Sequence, residues 1–180
     1  VLASSIVMRL QTVISRELSP SEFGVLTVGA INAGLKANII PFEANLKINV
    51  RAYSEQVRDK ISDAIERIVN AECQAAGSPQ PAEFNYHDAY PLTSNDDETT
   101  ARLQKAFTSY FGDDRVLTAE PLTASEDFST IARAFGVPYC FWVFSGREEG
   151  KDVPNHSPHF APRLQPTLRT GTEALAAAAL

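Results

Sequence analysis

His156 and His159 stand in the run Asn155-His156-Ser157-Pro158-His159-Phe160, where a neutral imidazole beside a stiffening proline has the makings of a fixed metal ligand. A metal site needs several ligands, and the chain has 3 histidines and 2 cysteines to offer. His87 lies far away in sequence. Cys73 and Cys140 fall in apolar patterns that suit small buried hydrophobes, without the spacing of a redox pair or a zinc knuckle. Pro158 argues against a helix that would bring His156 and His159 to one face. His156 is therefore either a structural loop histidine or one ligand of a larger site.

Other candidates are polar groups in turns and at helix starts. Glu126 and Asp127 follow Ser125, where acids in a first helical turn suit the helix dipole. The sharper alternative is that Glu126 faces a ligand. Adjacent carboxylates on a helix point apart, so they are not a facing acid/base pair. Asn38, in Ala37-Asn38-Ile39-Ile40-Pro41, is either a turn residue or an amide for a carboxylate-bearing ligand. Arg51 is either a solvated strand charge or a carboxylate contact.

These groups must be held by regular elements. Leu2, Ile6, Leu10, Val13 and Ile14 repeat at helical spacing, and residues 25–31 form a β-rich run. Leu46, Ile48 and Val50 alternate with Asn45, Lys47, Asn49 and Arg51, the period of a strand with one wet face. Ser54 caps a helix carrying Val57, Ile61, Ala64, Ile65, Ile68 and Cys73 on one stripe, ended by Gly77-Ser78-Pro79. Phe84 and Tyr86 alternate through a further short strand. With one more strand upstream, this order completes a ferredoxin-like β-α-β-β-α-β unit.

The turn-rich segment Tyr90-Pro91-Leu92-Thr93-Ser94-Asn95 marks a boundary. Beyond it, Asp96, Asp97 and Glu98 open a helix with Leu103, Phe107 and Tyr110, and Ser125 opens another that runs to Gly136. Residues 137–144 are continuously apolar, as in a strand buried on both faces. A long loop then leads to an Ala-rich helix at residues 170–180. The fold class is α/β, with an α+β first domain at residues 1–91 and a second domain at residues 92–180.

Composition narrows the function. With 180 residues, 44% hydrophobic and 21% charged, the chain has the material of a globular protein. A net charge of -6 without a basic stripe argues against nucleic-acid binding. No apolar run approaches the roughly 20 residues of a membrane span, and no signal-peptide pattern opens the chain. A cytoplasmic location is expected. Helical periodicity begins at once, without an initiator Met or a capping residue, so residues are expected upstream.

In combination, these segments resemble the M20 metallopeptidase and amidohydrolase family, nearest to its hippurate hydrolase and auxin-conjugate amidohydrolase branch. Thr27-Val28-Gly29-Ala30-Ile31 and the Asn38-Ile39-Ile40-Pro41 run are similar to the family's lid, and Val50-Arg51 to the end of the next lid strand. Residues 90–95 are similar to the return into the catalytic domain. Ala124-Ser125-Glu126-Asp127-Phe128-Ser129 and His156-Ser157-Pro158-His159-Phe160 resemble two motifs of that domain.

The resemblance implies an enzyme with two divalent ions, zinc, manganese or similar, that hydrolyses the amide of an N-acyl amino acid or small peptide-like substrate. It makes residues 1–91 most of a ferredoxin-like lid and dimerisation domain lacking its first strand. Residues 92–180 become the C-terminal part of an α/β catalytic domain. His156 is then a metal ligand, Asn38 a substrate-binding residue often offered to the opposite subunit of a homodimer, and Glu126 a neighbour of the substrate. The family's remaining ligands, its general-base glutamate and its lid histidine have no counterpart here, so no catalytic base is expected within the chain and the chain alone is expected to be inactive. The alternative is a non-catalytic ferredoxin-like dimerisation or binding module.

Overall fold

The structure is a computed structural model that describes residues 1–148, 150, 153–154 and 156–180. Contacts divide it into two compact units, Val1–Leu92 and Thr93–Leu180.

In the first unit, α1 (Leu2–Thr12) runs into a π-helical turn (Val13–Glu17), followed by β1 (Gly24–Asn32), β2 (Asn45–Ala52) and α2 (Glu55–Ala75). The strands pair antiparallel, setting Leu26 opposite Val50 and Val28 opposite Ile48. Beyond Val28 the register shifts, leaving Gly29 without a partner and bringing Ile31 opposite Leu46. This bulge changes the phase of β1, so that Ile31 takes the row that Ala30 would otherwise occupy. Leu26, Val28, Leu46, Ile48 and Val50 of the strands pack on a core of Ile6, Leu10 and Val13 from the first helix and Val57, Ile61, Ala64, Ile65 and Ile68 from α2, while Ile31 past the bulge stays exposed.

Backbone and side-chain geometry fix this packing locally. Ser54 Oγ accepts a hydrogen bond from Val57 N at 3.2 Å, capping α2 as its sequence predicts. A Cβ on Gly24 would lie 2.5 Å from Leu18 Cδ1 and 2.8 Å from Ile61 Cδ1, so glycine lets the chain enter β1 directly beneath α2. At the rim, Arg67 donates to both carboxylate oxygens of Glu17 at 2.8 and 2.6 Å. Ser19 N and then Lys60 hold the Glu22 carboxyl below the usual carboxylate range.

The third strand expected at Phe84 and Tyr86 is not formed. Phe84 still packs half-buried against the core, in keeping with its alternation. Its backbone joins no ladder, because among the described residues the strands are β1 and β2, which pair with each other. Tyr86 is held by its side chain, the hydroxyl donating to Glu66 Oε1 at 2.7 Å. Burial and then this bond push the phenol up to about 12. Because Tyr86 is 61% exposed, the bond to Glu66 is the better-supported of these two causes.

A pKa raised on folding stabilises fully below the unfolded value near 10, and that contribution is lost as pH climbs toward about 12. Thermal melts should therefore show wild type losing stability more steeply than Tyr86→Phe between those values. Solvent screening keeps the difference small. Parallel pH profiles for the two proteins would contradict this account.

The second unit holds α3 (Asp97–Phe111), a 3-10 turn (Asp113–Arg115), α4 (Ser129–Phe135) and α5 (Leu164–Ala179). Asp96 caps α3, its Oδ1 accepting from Thr99 N at 2.8 Å, and the bonds from Thr99 hold its carboxyl below the usual range. Phe107 meets the Trp142 ring edge-on at 5.6 Å, tying α3 to the apolar segment.

Three expectations change here. Residues 137–144 form no strand, and Val137, Val143 and Phe144 are 51%, 55% and 50% exposed, because no described strand of this unit lies beside them. α4 begins at Ser129 instead of Ser125, which places Glu126 and Asp127 before the helix. α5 begins at Leu164, earlier than residue 170, with non-helical backbone at Gln165 ahead of Pro166.

Candidate functional site

The His156 loop is built from its base. Asn95 uses its side-chain amide as a strand would use a peptide group, with Nδ2 donating to Phe141 O at 2.9 Å and Oδ1 accepting from Phe141 N at 2.7 Å. Asp96 N donates to Tyr139 O at 2.9 Å. These bonds seat the segment that leads into the loop. Phe144 packs on Gly171 of α5, where an added Cβ would sit 2.8 Å from Phe144 Cζ. Arg163 N then donates to Gly146 O at 2.9 Å, joining the outgoing and returning chain.

Beyond that junction, Arg147, Glu148, Val153, His159, Phe160 and Ala161 line a hollow of about 100 Å³. His156 is exposed and has a φ of 67°, in the left-handed region. Non-glycine residues enter that region rarely, although histidine does so more readily than most. Successive turns hold the chain after it. Ser157 N donates to Pro154 O at 3.3 Å, Phe160 N to Ser157 O at 3.0 Å, and His159 N to Ser157 Oγ at 3.2 Å. Asn155, the first residue of the motif, lies outside the described residues.

Glu126 is exposed in the chain before α4, where Asp127 O accepts from Thr130 N at 2.9 Å. Asn38 is exposed in the connection between β1 and β2. Gly34, with a φ of 67°, turns that connection tightly against Pro41, and Leu35, Ile40 and Phe42 stand 99%, 93% and 95% exposed along it. Asn38 belongs to the first unit, and Glu126 and His156 to the second. Arg51 donates to Asn49 Oδ1 at 3.1 Å on the polar face of its strand. His87 is exposed, with Nδ1 2.9 Å from Asp88 Oδ2.

The thiols are less buried than their apolar patterns suggest. Cys73 and Cys140 are free and half-buried, and Thr100 Oγ1, which donates to Asp96 O at 2.7 Å, lies 3.4 Å from Cys140 Sγ. Among the described residues no three His, Cys, Asp or Glu side chains gather closely enough to hold a metal ion. The residues present therefore do not make a metal site by themselves, and His156 is the one exposed candidate that its motif singles out. No helix of the described residues is long and apolar enough to cross a membrane.

Sequence reasoning missed the anchoring residues. Asn95 reads as the last residue of a turn, and Gly146 is not singled out within the long loop. A signal for Asn95 was available in its place directly before the Asp96 cap, but its partner lies 46 positions away.

Comparison with known proteins places this geometry in context. The family model described as peptidase family M20/M25/M40 matches residues 11–180. Thermostable carboxypeptidase 2 of Saccharolobus solfataricus is 32% identical over 146 residues, which are 81% of this chain and 36% of that protein. Hippurate hydrolase of Campylobacter jejuni is 31% identical over 140 residues, 77% of this chain and 36% of its own length. A crystal structure described as an aminohydrolase from methicillin-resistant Staphylococcus aureus superposes with a TM-score of 0.81 at 29% identity, covering 99% of this chain and 45% of that one. The chain thus spans less than half the length of these relatives.

Proposed function

The chain belongs to peptidase family M20/M25/M40, and on that basis we propose that it is part of a metal-dependent amidohydrolase that cleaves N-acyl amino acids or small peptide-like amides. The observation that carries this reading is the His156 loop. It presents an exposed imidazole from a left-handed residue, anchored by successive turns, within a chain matched to the family along residues 11–180. The family's divalent ions supply activation of a water toward the amide carbonyl when bound. Within this chain, His156 contributes one ligand to them. Asn38, on its exposed connection, binds substrate, and Glu126 stands near it.

Residues 1–91 serve as lid and dimerisation domain, and residues 92–180 as the end of the catalytic domain in a cytoplasmic homodimer. The general base and the other ligands come from a further part of the polypeptide. Surface area supports a larger whole. The chain exposes 13963 Å², whereas two separate compact units, each of half its 19.6 kDa, would expose about 10,000 Å². Large apolar side chains account for part of that exposure, including Ile131, Phe135, Leu164 and Leu168 of α4 and α5.

The test is the product of the complete reading frame, assayed on N-benzoylglycine, N-acetyl amino acids and indole-acetyl amino acids. Hydrolysis of at least one class is expected, and a reading frame with neither an upstream histidine ligand motif nor a Glu-Glu pair would overturn the proposal. In that protein Asn38→Ala should lower kcat/KM while metal content stays at the wild-type level. Loss of the metals instead would remove Asn38 from substrate binding.

A further inference from the structure

We infer that Phe128 is a positioning residue for Glu126, holding the segment that carries this carboxylate against a fixed aromatic floor. The inference rests on the reading of Glu126 as a neighbour of the substrate, and its geometry is independent of that reading. Residues 117–127 are exposed, so the chain bearing Glu126 gains little from packing before it reaches Phe128. There the ring meets Phe141 at a centroid distance of 5.0 Å and Tyr139 edge-on at 6.0 Å. Both distances lie in the range in which aromatic rings attract each other.

The floor is itself held in place. Ser94 N donates to Tyr139 Oη at 2.8 Å, and Asp96 N donates to Tyr139 O at 2.9 Å. The Asn95 side chain takes both backbone groups of Phe141, accepting from its N at 2.7 Å and donating to its O at 2.9 Å. Tyr139 is thus fixed at its carbonyl and its hydroxyl, and Phe141 along its backbone. Asp96 in turn caps α3.

The path from this floor to Glu126 is short. Two residues of chain span at most about 7 Å, so the Glu126 backbone stays within that distance of Phe128. Between them, Asp127 O accepts from Thr130 N at 2.9 Å, closing a turn at the entry to α4. Ser129 is fully buried and seats the start of the helix. The Phe128 ring then sets the direction in which the preceding chain leaves it. Removing the ring leaves α4 seated and frees the chain that carries Glu126.

The geometry is tested in the 180-residue chain by backbone 15N relaxation at the amides of Glu126, Ala134 and Phe141. In wild type the Glu126 amide should have an order parameter near the rigid value of about 0.85, falling below about 0.6 in Phe128→Ala. Ala134 and Phe141 should keep theirs and report an intact helix and floor. Phe128→Leu keeps apolar bulk near Phe141 but loses the reach to Tyr139, so its Glu126 amide should loosen by a smaller amount. Phe128→Tyr should match wild type. A Glu126 amide that is already mobile in wild type, or that is unchanged in Phe128→Leu, would overturn the inference, whatever Phe128→Ala does to folding.

In the complete enzyme, Phe128→Ala should lower kcat/KM by roughly tenfold or more, as displacement of a group beside the substrate does. On a Glu126→Gln background it should lower kcat/KM no further, because the two residues act as one unit. Phe128→Tyr should stay near wild type. Equal losses on both backgrounds would make Phe128 a structural residue of α4 and overturn the inference. If Glu126→Gln alone changes nothing while the amide loosens as expected, Phe128 holds the segment and the reading of Glu126 fails.

Discussion

His156→Ala, made in the complete enzyme, is expected to lower metal content and amide hydrolysis together, with activity falling by roughly a hundredfold or more. Removing even an outer hydrogen-bond partner of a metal ligand commonly costs up to that factor. The loop places His156 where such a loss has no local substitute. His159 is three positions on, with its backbone turned by Ser157 and its side chain beside the hollow shared with Arg147 and Phe160. Glu148 lines the same hollow, but among the described residues no three His, Cys, Asp or Glu side chains gather closely enough to hold a metal ion. Overall folding should be untouched, because the imidazole is exposed. Metal analysis by mass spectrometry alongside a hydrolysis assay checks both halves, and unchanged stoichiometry and activity would remove His156 from the site.

Ile61→Ala is the substitution with the largest expected effect on stability. Ile61 is 0% exposed, lies in the middle of the α2 stripe, and stands against Gly24 at the entry to β1. Truncation removes its buried methyl and methylene groups and leaves a cavity that the helix cannot collapse into. The neighbouring strand is already close and is fixed by its pairing with β2. The expected cost is about 3 kcal/mol, read from urea denaturation of the first unit's signal. A loss below about 1 kcal/mol would show that the core relaxes around the deletion far more readily than this packing implies.

The parts of this structure that were legible in the sequence are those fixed by short-range chemistry. Alternation at Leu46, Ile48 and Val50 gave β2, the Ser54 cap and apolar stripe gave α2, and the acids at Asp96 to Glu98 gave the start of α3. The phase change at Gly29 was not readable, since a bulge exists only relative to a partner strand. Residues 137–144 have the composition of a buried strand, but composition supplies no neighbour. In the structure Asn95 takes that role on one edge. Ser125 likewise has the chemistry of a cap, yet the helix starts at Ser129, which is fully buried.

The candidate site divides in the same way. His156, Glu126 and Asn38 were visible as motif residues, and all are exposed in connections or loops. Their support was not visible. Gly146 accepts from Arg163 and Asn95 pairs with Phe141, and both contacts join residues that spacing does not connect. The left-handed backbone at His156 is a further property of the folded loop that residue type alone does not announce.

The most direct test is chelation and metal return on the product of the complete reading frame, with N-benzoylglycine hydrolysis followed throughout and the 180-residue chain assayed in parallel. The account predicts that activity disappears with the metal, returns with zinc or manganese, and is absent from the 180-residue chain under every condition. Hydrolysis that persists in the metal-free complete protein, or that the 180-residue chain performs alone, would contradict it.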